Sequence, residues 1–66
     1  MQCIVNGELH YFETDITIAT LLDRLDVDDN RIVVEHNGEL IKKSVFKQQA
    51  VKNNDRLELL EFVGGG

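Results

Sequence analysis

The amino-acid sequence predicts an α+β fold in which a mixed five-stranded sheet carries one main helix on one face. Two Asn-Gly dipeptides, at residues 6–7 and 37–38, each separate two short β-favouring runs. A helical repeat of apolar residues lies between them at 18–25, and a last β-favouring run occupies 56–62. With 66 residues, the chain is near the lower limit for a single hydrophobic core. We therefore expect one domain over residues 1–62 and a flexible tail over 63–66.

The first hairpin is predicted from residues 2–5 and 8–13, on either side of the first Asn-Gly. This dipeptide is typical of a type I′ turn, because both central positions need a positive φ that Asn and Gly tolerate. Cys3 lies one alternating step from Val5 and is interpreted as a small core residue. A single cysteine allows neither an internal disulfide nor a metal cluster.

The helix is predicted to begin after Thr17, a suitable N-cap residue. Its apolar residues follow at the i, i+3, i+4 and i+7 positions of one stripe: Ile18, Leu21, Leu22 and Leu25. This stripe has to cover one face of a sheet, because a single hairpin is not stable alone in water. The acidic residues at 26–30 lack the twelve-residue pattern of a calcium loop and predict a solvated connection.

The second half of the chain predicts two more strands, a long connection and a last strand. Residues 31–36 and 39–41 flank the second Asn-Gly, and His36 beside this turn is interpreted as a surface or hairpin-packing residue. Residues 42–52 show no clean period, so Val45, Phe46 and Val51 are expected to pin an irregular connection. Residues 53–55 form a turn, and residues 56–62 form the last strand.

The order of the elements places the last strand between the two hairpins. If it pairs parallel to the first strand, the helix fits over one mixed sheet, which is the β-grasp or ubiquitin-like arrangement. Leu57 and Leu59 then face the helix, whereas Leu60 and Phe62 lie on the open face together with Ile4. Exposed apolar residues surrounded by charge indicate a docking patch for a partner. The alternative is a differently rolled strand that buries Leu60 and Phe62 in the core.

The composition excludes several classes of function. Twelve acidic and seven basic residues give a net charge of −5, which disfavours nucleic-acid phosphates and favours a partner with a basic docking surface. The chain shows neither a signal-peptide pattern nor an apolar run of membrane-spanning length, so we expect a soluble, cytoplasmic protein. A domain this small has no room for a buried cleft of several hundred cubic ångströms, which disfavours a self-sufficient enzyme.

The sequence ends in Val63-Gly64-Gly65-Gly66 directly after the last strand. Three extended glycines reach roughly 10 Å, and without Cβ atoms they make a thin thread that fits a narrow slot. The Gly66 α-carboxylate is then a candidate reactive group presented to another enzyme. A frayed, inert terminus is the alternative for the same residues.

The chain resembles the thiamine-pathway sulfur carrier proteins over essentially its whole length. The resemblance rests on the first strand with its Asn-Gly turn, the run at 17–22, the strand-turn-strand at 33–41, the run at 55–58 and the closing Phe-Val-Gly-Gly-Gly. Two turns depart from the family pattern. Asn54-Asp55 replaces a frequent Gly-Asp, and Lys42-Lys43 replaces a frequent proline.

The resemblance implies a mechanism in which this chain is a carrier and not an enzyme. An E1-like adenylyltransferase would use ATP and magnesium to adenylate the Gly66 carboxylate, while the carrier itself binds no cofactor. A persulfide sulfur donor would convert the adenylate to a thiocarboxylate, which thiazole synthase would consume. Gly64 and Gly65 would thread the tail, and Ile4, Leu60, Phe62 and Val63 would form the partner interface.

Three alternatives remain open at this point. The same fold also serves sulfur carriers for molybdopterin or tRNA thiolation. It serves ubiquitin-like modifiers too, which would be conjugated to lysines through Gly66. An interaction domain with an inert glycine tail is the third alternative.

Overall fold

A computed structural model describes residues 1–62; the tail expected at residues 63–66 lies outside this range. Its α-helix, α1, spans Ile18–Arg24. The strands are β1 (Gln2–Val5), β2 (Glu8–Tyr11), β3 (Ile16–Thr17), β4 (Ile32–His36), β5 (Glu39–Ile41), β6 (Ala50–Val51) and β7 (Arg56–Glu61). Two short 3₁₀ turns, Asp29–Arg31 and Lys43–Val45, follow α1 and β5.

Five of the strands form one mixed sheet in the order β2-β1-β7-β4-β5. The last strand, β7, is central: it runs parallel to β1 and antiparallel to β4. The two Asn-Gly turns close the outer hairpins, and both asparagines and both glycines have positive φ. The predicted β-grasp arrangement is therefore confirmed.

A second ladder of two short strands, β3 and β6, was not predicted from the sequence. Ile16 pairs with Val51 and Thr17 with Ala50. Because each strand has two residues, neither leaves an alternating pattern that the sequence could show. The ladder ties the start of α1 to the long connection, where the Ile18 N–H donates to the Gln49 carbonyl.

The helix begins where the sequence indicated. Thr17 has extended dihedral angles, and its Oγ1 accepts a hydrogen bond from the Thr20 N–H at 3.2 Å. Its apolar stripe is buried at Ile18, Leu21 and Leu22, whereas Leu25 caps the last turn and is half-buried. None of the helices among residues 1–62 is long and apolar enough to cross a membrane.

The core lies between α1 and one face of the sheet, and the long connection closes it. Its fully buried side chains come from β1, α1, β4, β6 and β7: Cys3, Ile18, Leu21, Leu22, Val34, Val51 and Leu57. Phe46 and Val51 hold the connection as predicted, but Val45 is exposed. His36 is 8% exposed, so of the two interpretations of this residue the surface one is wrong; its side chain contacts Asp55 and Gln49, which lie outside the β4–β5 hairpin.

Candidate functional site: the open face of the sheet

The roll of β7 decides whether Leu60 and Phe62 lie on the surface or in the core, and the structure exposes both. Leu57 is fully buried beneath α1 and Leu59 packs against the core. Leu60 is 69% exposed and Phe62 is 48% exposed. Period-2 alternation along β7 therefore directs Leu60 to the face opposite the helix. The alternative that buries Leu60 and Phe62 in the core is wrong.

Ile4 lies on the same face, on the strand next to β7. It is half-buried, because Leu9 of β2 is its antiparallel partner and Arg56 of β7 its parallel partner. The structure thus brings together three of the four predicted interface residues on one side of the sheet. The fourth, Val63, lies outside the described residues, as do Gly64, Gly65 and Gly66.

The open face, defined here as the surface of the five-stranded sheet opposite α1, is more apolar than the sequence predicted. The register adds large exposed side chains from the neighbouring strands: Leu9, Tyr11, Val33 and Leu40. Val33 stands directly opposite Leu60 across β4 and β7. Alternation within β2, β4 and β5 could have indicated these residues, but placing them together required the strand order.

The chain leaves the sheet at the end of β7, beside the open face. The Phe62 N–H donates to the Arg31 carbonyl at 3.0 Å, so β7 stays paired with the segment preceding β4 up to its last described residue. The tail therefore follows the central strand, whose end is paired with β4. The residue from which the tail continues, Phe62, therefore has a fixed position relative to Leu60.

Two asparagines hold β7 from either side, a role that sequence reasoning missed. The Asn6 side chain accepts from the Leu59 N–H at 2.7 Å and donates to the Leu59 carbonyl at 3.2 Å. On the other side, the Asn37 Oδ1 accepts from the Arg56 N–H at 2.8 Å. The Asn-Gly signal predicted the turns, but not that their side chains would extend the pairing of the central strand.

A partly buried polar network anchors the start of β7. The His36 Nε2–H donates to the Asp55 carboxylate at 2.7 Å, and the Gln49 amide donates to His36 Nδ1 at 3.0 Å. Asp55 also accepts from the Lys52 N–H at 2.7 Å and the Asn37 side chain at 3.0 Å. Burial alone would raise the pKa of Asp55, but these hydrogen bonds outweigh it and hold the pKa below its usual value.

Cys3 lies close to this network without forming a reactive thiol. The side chain is fully buried in the core. Burial raises the pKa of the Cys3 thiol, the nearby Asp55 carboxylate raises it further, and the N-terminal ammonium lowers it by less. Because the thiolate is the nucleophilic form, a buried thiol with a raised pKa is a core side chain, as the sequence predicted.

Among the described residues, the surface depressions lie away from the open face. No group of three or more His, Cys, Asp or Glu side chains among residues 1–62 is arranged to bind a metal ion. Two surface depressions of about 230 and 500 Å³ lie beside α1, and both share Ala19 and Asp29. Neither borders the open face or the end of β7.

The comparisons agree with this geometry. The model of the ThiS family matches residues 3–66. The crystal structure of the thiamine biosynthesis protein ThiS from Geobacter metallireducens superposes with a TM-score of 0.86 over the whole of both chains, at 33% sequence identity.

Curated relatives are similar over most or all of this chain. The sulfur carrier protein ThiS of Bacillus subtilis is 34% identical over 50 residues, which cover 76% of each chain. A thiazole synthase of Paramagnetospirillum magneticum is 41% identical over all 66 residues, which span 20% of that protein. This chain therefore corresponds to about a fifth of the length of that longer relative.

Proposed function

Because this chain belongs to the ThiS family, we propose that it is a sulfur carrier of thiamine biosynthesis that works through its Gly66 carboxylate. The observation that carries the proposal is the junction of β7 with the tail. The central strand β7 contributes Leu60 to the exposed apolar face, its end is held in the sheet, and the glycine run follows it in the sequence. A partner that binds this face would then bind the tail at a defined position.

The chemistry requires an activated carboxylate, because a free carboxylate is a poor electrophile. The adenylating partner attaches AMP from ATP to the Gly66 carboxylate and releases pyrophosphate, with magnesium as the partner's own cofactor. The terminal sulfur of a persulfide then displaces AMP. A thiol cleaves the resulting acyl disulfide, is itself oxidised, and leaves a C-terminal thiocarboxylate. Thiazole synthase takes its sulfur from this group.

In this scheme the carrier supplies recognition and delivery, while its partners supply the catalytic groups. Ordering each tail glycine costs roughly 1–2 kcal/mol, so the open face has to contribute enough binding free energy to offset the threading. The similarity to a longer thiazole synthase supports that enzyme as one partner, because a segment like this chain is part of it. A cytoplasmic location belongs to the same proposal, since the E1-like partner consumes ATP.

Intact-mass spectrometry tests the proposal directly. The chain is incubated with the cognate adenylating enzyme, ATP, magnesium, a persulfide donor and a thiol that cleaves the acyl disulfide. We expect a mass gain equal to the exchange of one oxygen for sulfur, and we expect none for a chain amidated at Gly66 or lacking it. Activation that persists after amidation would contradict the carrier mechanism.

The same reaction distinguishes the alternatives. Isopeptide-linked adducts on protein lysines, without a free thiocarboxylate, would indicate a ubiquitin-like modifier. A thiocarboxylate that thiazole synthase does not consume would indicate a carrier for molybdopterin or tRNA thiolation.

A further inference from the structure

Two glutamates face each other at the centre of the open face. Glu35 of β4 is the direct cross-strand partner of Glu58 of β7, and both are exposed. Side chains opposite each other on neighbouring strands have Cβ atoms about 4.5–5.5 Å apart, and like charges in this arrangement are destabilising. The free domain therefore holds a repulsive pair on its two central antiparallel strands.

The surroundings of the pair do not neutralise it. Leu40 is the partner of Glu35 on the β5 side, and Leu60 follows Glu58 by one alternating step. Arg56 lies on the same face, next to Ile4 of β1. The ion pairs within 4.0 Å found among residues 1–62 include none formed by Glu35, Glu58 or Arg56. Two uncompensated carboxylates thus sit inside an apolar surface.

We propose that Glu35 and Glu58 together receive one arginine side chain from the partner that docks on the open face. This inference rests on the proposed function, and the partner is the adenylating enzyme. A guanidinium group presents several N–H donors in one plane and can bond to both carboxylates at once, which a single ammonium does less well. Docking then converts the repulsion of the free domain into a charge-assisted contact.

Charge and surface chemistry favour a protein arginine at this position. The carboxylates are flanked by Leu40 and Leu60, and an arginine stem packs on apolar side chains while its head reaches the charges. Arginine is also enriched at interface cores, where aromatic and apolar residues surround it. The net charge of −5 adds attraction toward a basic partner surface.

The proposed arginine contact predicts that one double variant stabilises the free carrier and weakens its binding to the adenylating enzyme. Replacing both residues, Glu35→Gln and Glu58→Gln, removes the repulsion without changing shape, so the melting temperature of the free carrier should rise. The same variant should bind the adenylating enzyme about tenfold more weakly or worse, because a charge-assisted contact is lost. A role confined to folding would not move these two measurements in opposite directions.

The chain offers a matched control on the other face of the sheet. Glu39 stands opposite His36 and Glu61 opposite Ile32, so both belong to the alternation that points toward the core side, and both are exposed. The double variant Glu39→Gln and Glu61→Gln removes the same two charges. At high salt its affinity should stay within about twofold of the wild type, because long-range attraction is then largely screened.

Calorimetric titration with the cognate adenylating enzyme, without ATP and at low and high salt, measures these affinities. Normal binding by the Glu35/Glu58 variant, with Leu60→Ala binding weakly, would overturn the arginine pairing and leave the docking face standing. Equal losses in both double variants would also overturn it, since only net charge would matter. A wild-type carrier that neither binds the enzyme nor gains a thiocarboxylate would instead reject the proposed function, and the pairing with it.

Discussion

Replacing Phe62 distinguishes a role of this side chain in partner binding from a role in folding. Its ring is half exposed at the end of β7, so Phe62→Ala should lower the free energy of unfolding by less than about 2 kcal/mol. A central aromatic anchor contributes about 2 kcal/mol or more to binding, and we expect a loss of that size toward the adenylating enzyme. Titration calorimetry and urea unfolding measure the two effects.

Val45→Ala is the control for Phe62→Ala. Val45 is an exposed apolar residue on the connection after β5, away from the open face, and its truncation should leave partner binding unchanged. A Phe62→Ala protein that binds as well as the wild type would exclude the ring from the docking face.

Asp55 makes the stability of the domain depend on pH. Its pKa is lowered in the folded state, so its contribution is fully present above its usual pKa and is lost as the pH falls through the lowered value. Asp55→Asn should destabilise the domain by about 2–3 kcal/mol near neutral pH, because hydrogen bonds from Lys52, Asn37 and His36 lose a charged acceptor. Below pH 3.8, the usual pKa of an aspartate, the difference from the wild type should shrink as the pH falls.

Urea unfolding at the two pH values measures this effect, with Asp15→Asn as the control. Asp15 lies 3.7 Å from the Lys52 ammonium, and both side chains are mostly exposed, so its replacement should change stability by less than about 1 kcal/mol. Equal losses for Asp55→Asn at both pH values would show that its carboxylate charge is not what stabilises the fold.

Among the elements, the hairpins and the helix were predictable because their signals are local. The positive φ values at Asn6 and Asn37 and the Thr17 cap each follow from residues adjacent in sequence. The β3–β6 ladder, the asparagine contacts to β7 and the opposition of Glu35 and Glu58 depend on register between distant segments. Alternation limits which face a residue takes, but not which residue stands opposite it.

The contribution of the asparagine side chains to stability can be measured separately from that of the turns in which they lie. Asn6→Gly keeps the positive φ that the turn requires and removes both hydrogen bonds to Leu59, so we expect a loss of about 1–2 kcal/mol. The matched control is Asn54→Gly. Asn54 also has a positive φ, of 69°, but its side chain accepts one exposed hydrogen bond from Gln2.

Asn54→Gly should be neutral or slightly stabilising, because glycine adopts this conformation without the cost of a Cβ. This conformation also explains why asparagine replaces the family's frequent glycine there. Chemical unfolding measures both variants, and equal effects would mean that the Asn6 side chain contributes nothing beyond the turn.

A larger side chain at residue 65 tests whether the tail enters a narrow slot of the adenylating enzyme. Gly65→Val adds a branched side chain and restricts the backbone, so adenylation should slow greatly if a narrow slot receives the thread. The melting temperature should stay unchanged, because residue 65 follows the last strand. Gly65→Ala provides an intermediate size and should give an intermediate rate. If Gly65→Val were adenylated at the wild-type rate, the glycines would serve only as a spacer.

At the scale of the whole molecule, β7 is the element on which the sheet depends. It joins the β1–β2 hairpin to the β4–β5 hairpin, which do not pair with each other. A chain ending at Asp55 should therefore lack a cooperative thermal transition, whereas one ending at Phe62 should unfold like the full chain. Circular dichroism measures both. A cooperative transition in the shorter chain would contradict the central role of β7.

The position of β7 also has a consequence for the chain as it is made. A ribosome adds about 5–20 residues per second, so both hairpins and α1 are synthesised before the strand that joins them. During that interval the edges of β1 and β4 are unpaired and the core side of each hairpin is uncovered. We expect the nascent chain to remain without a stable sheet until β7 emerges, and to fold in one step afterwards.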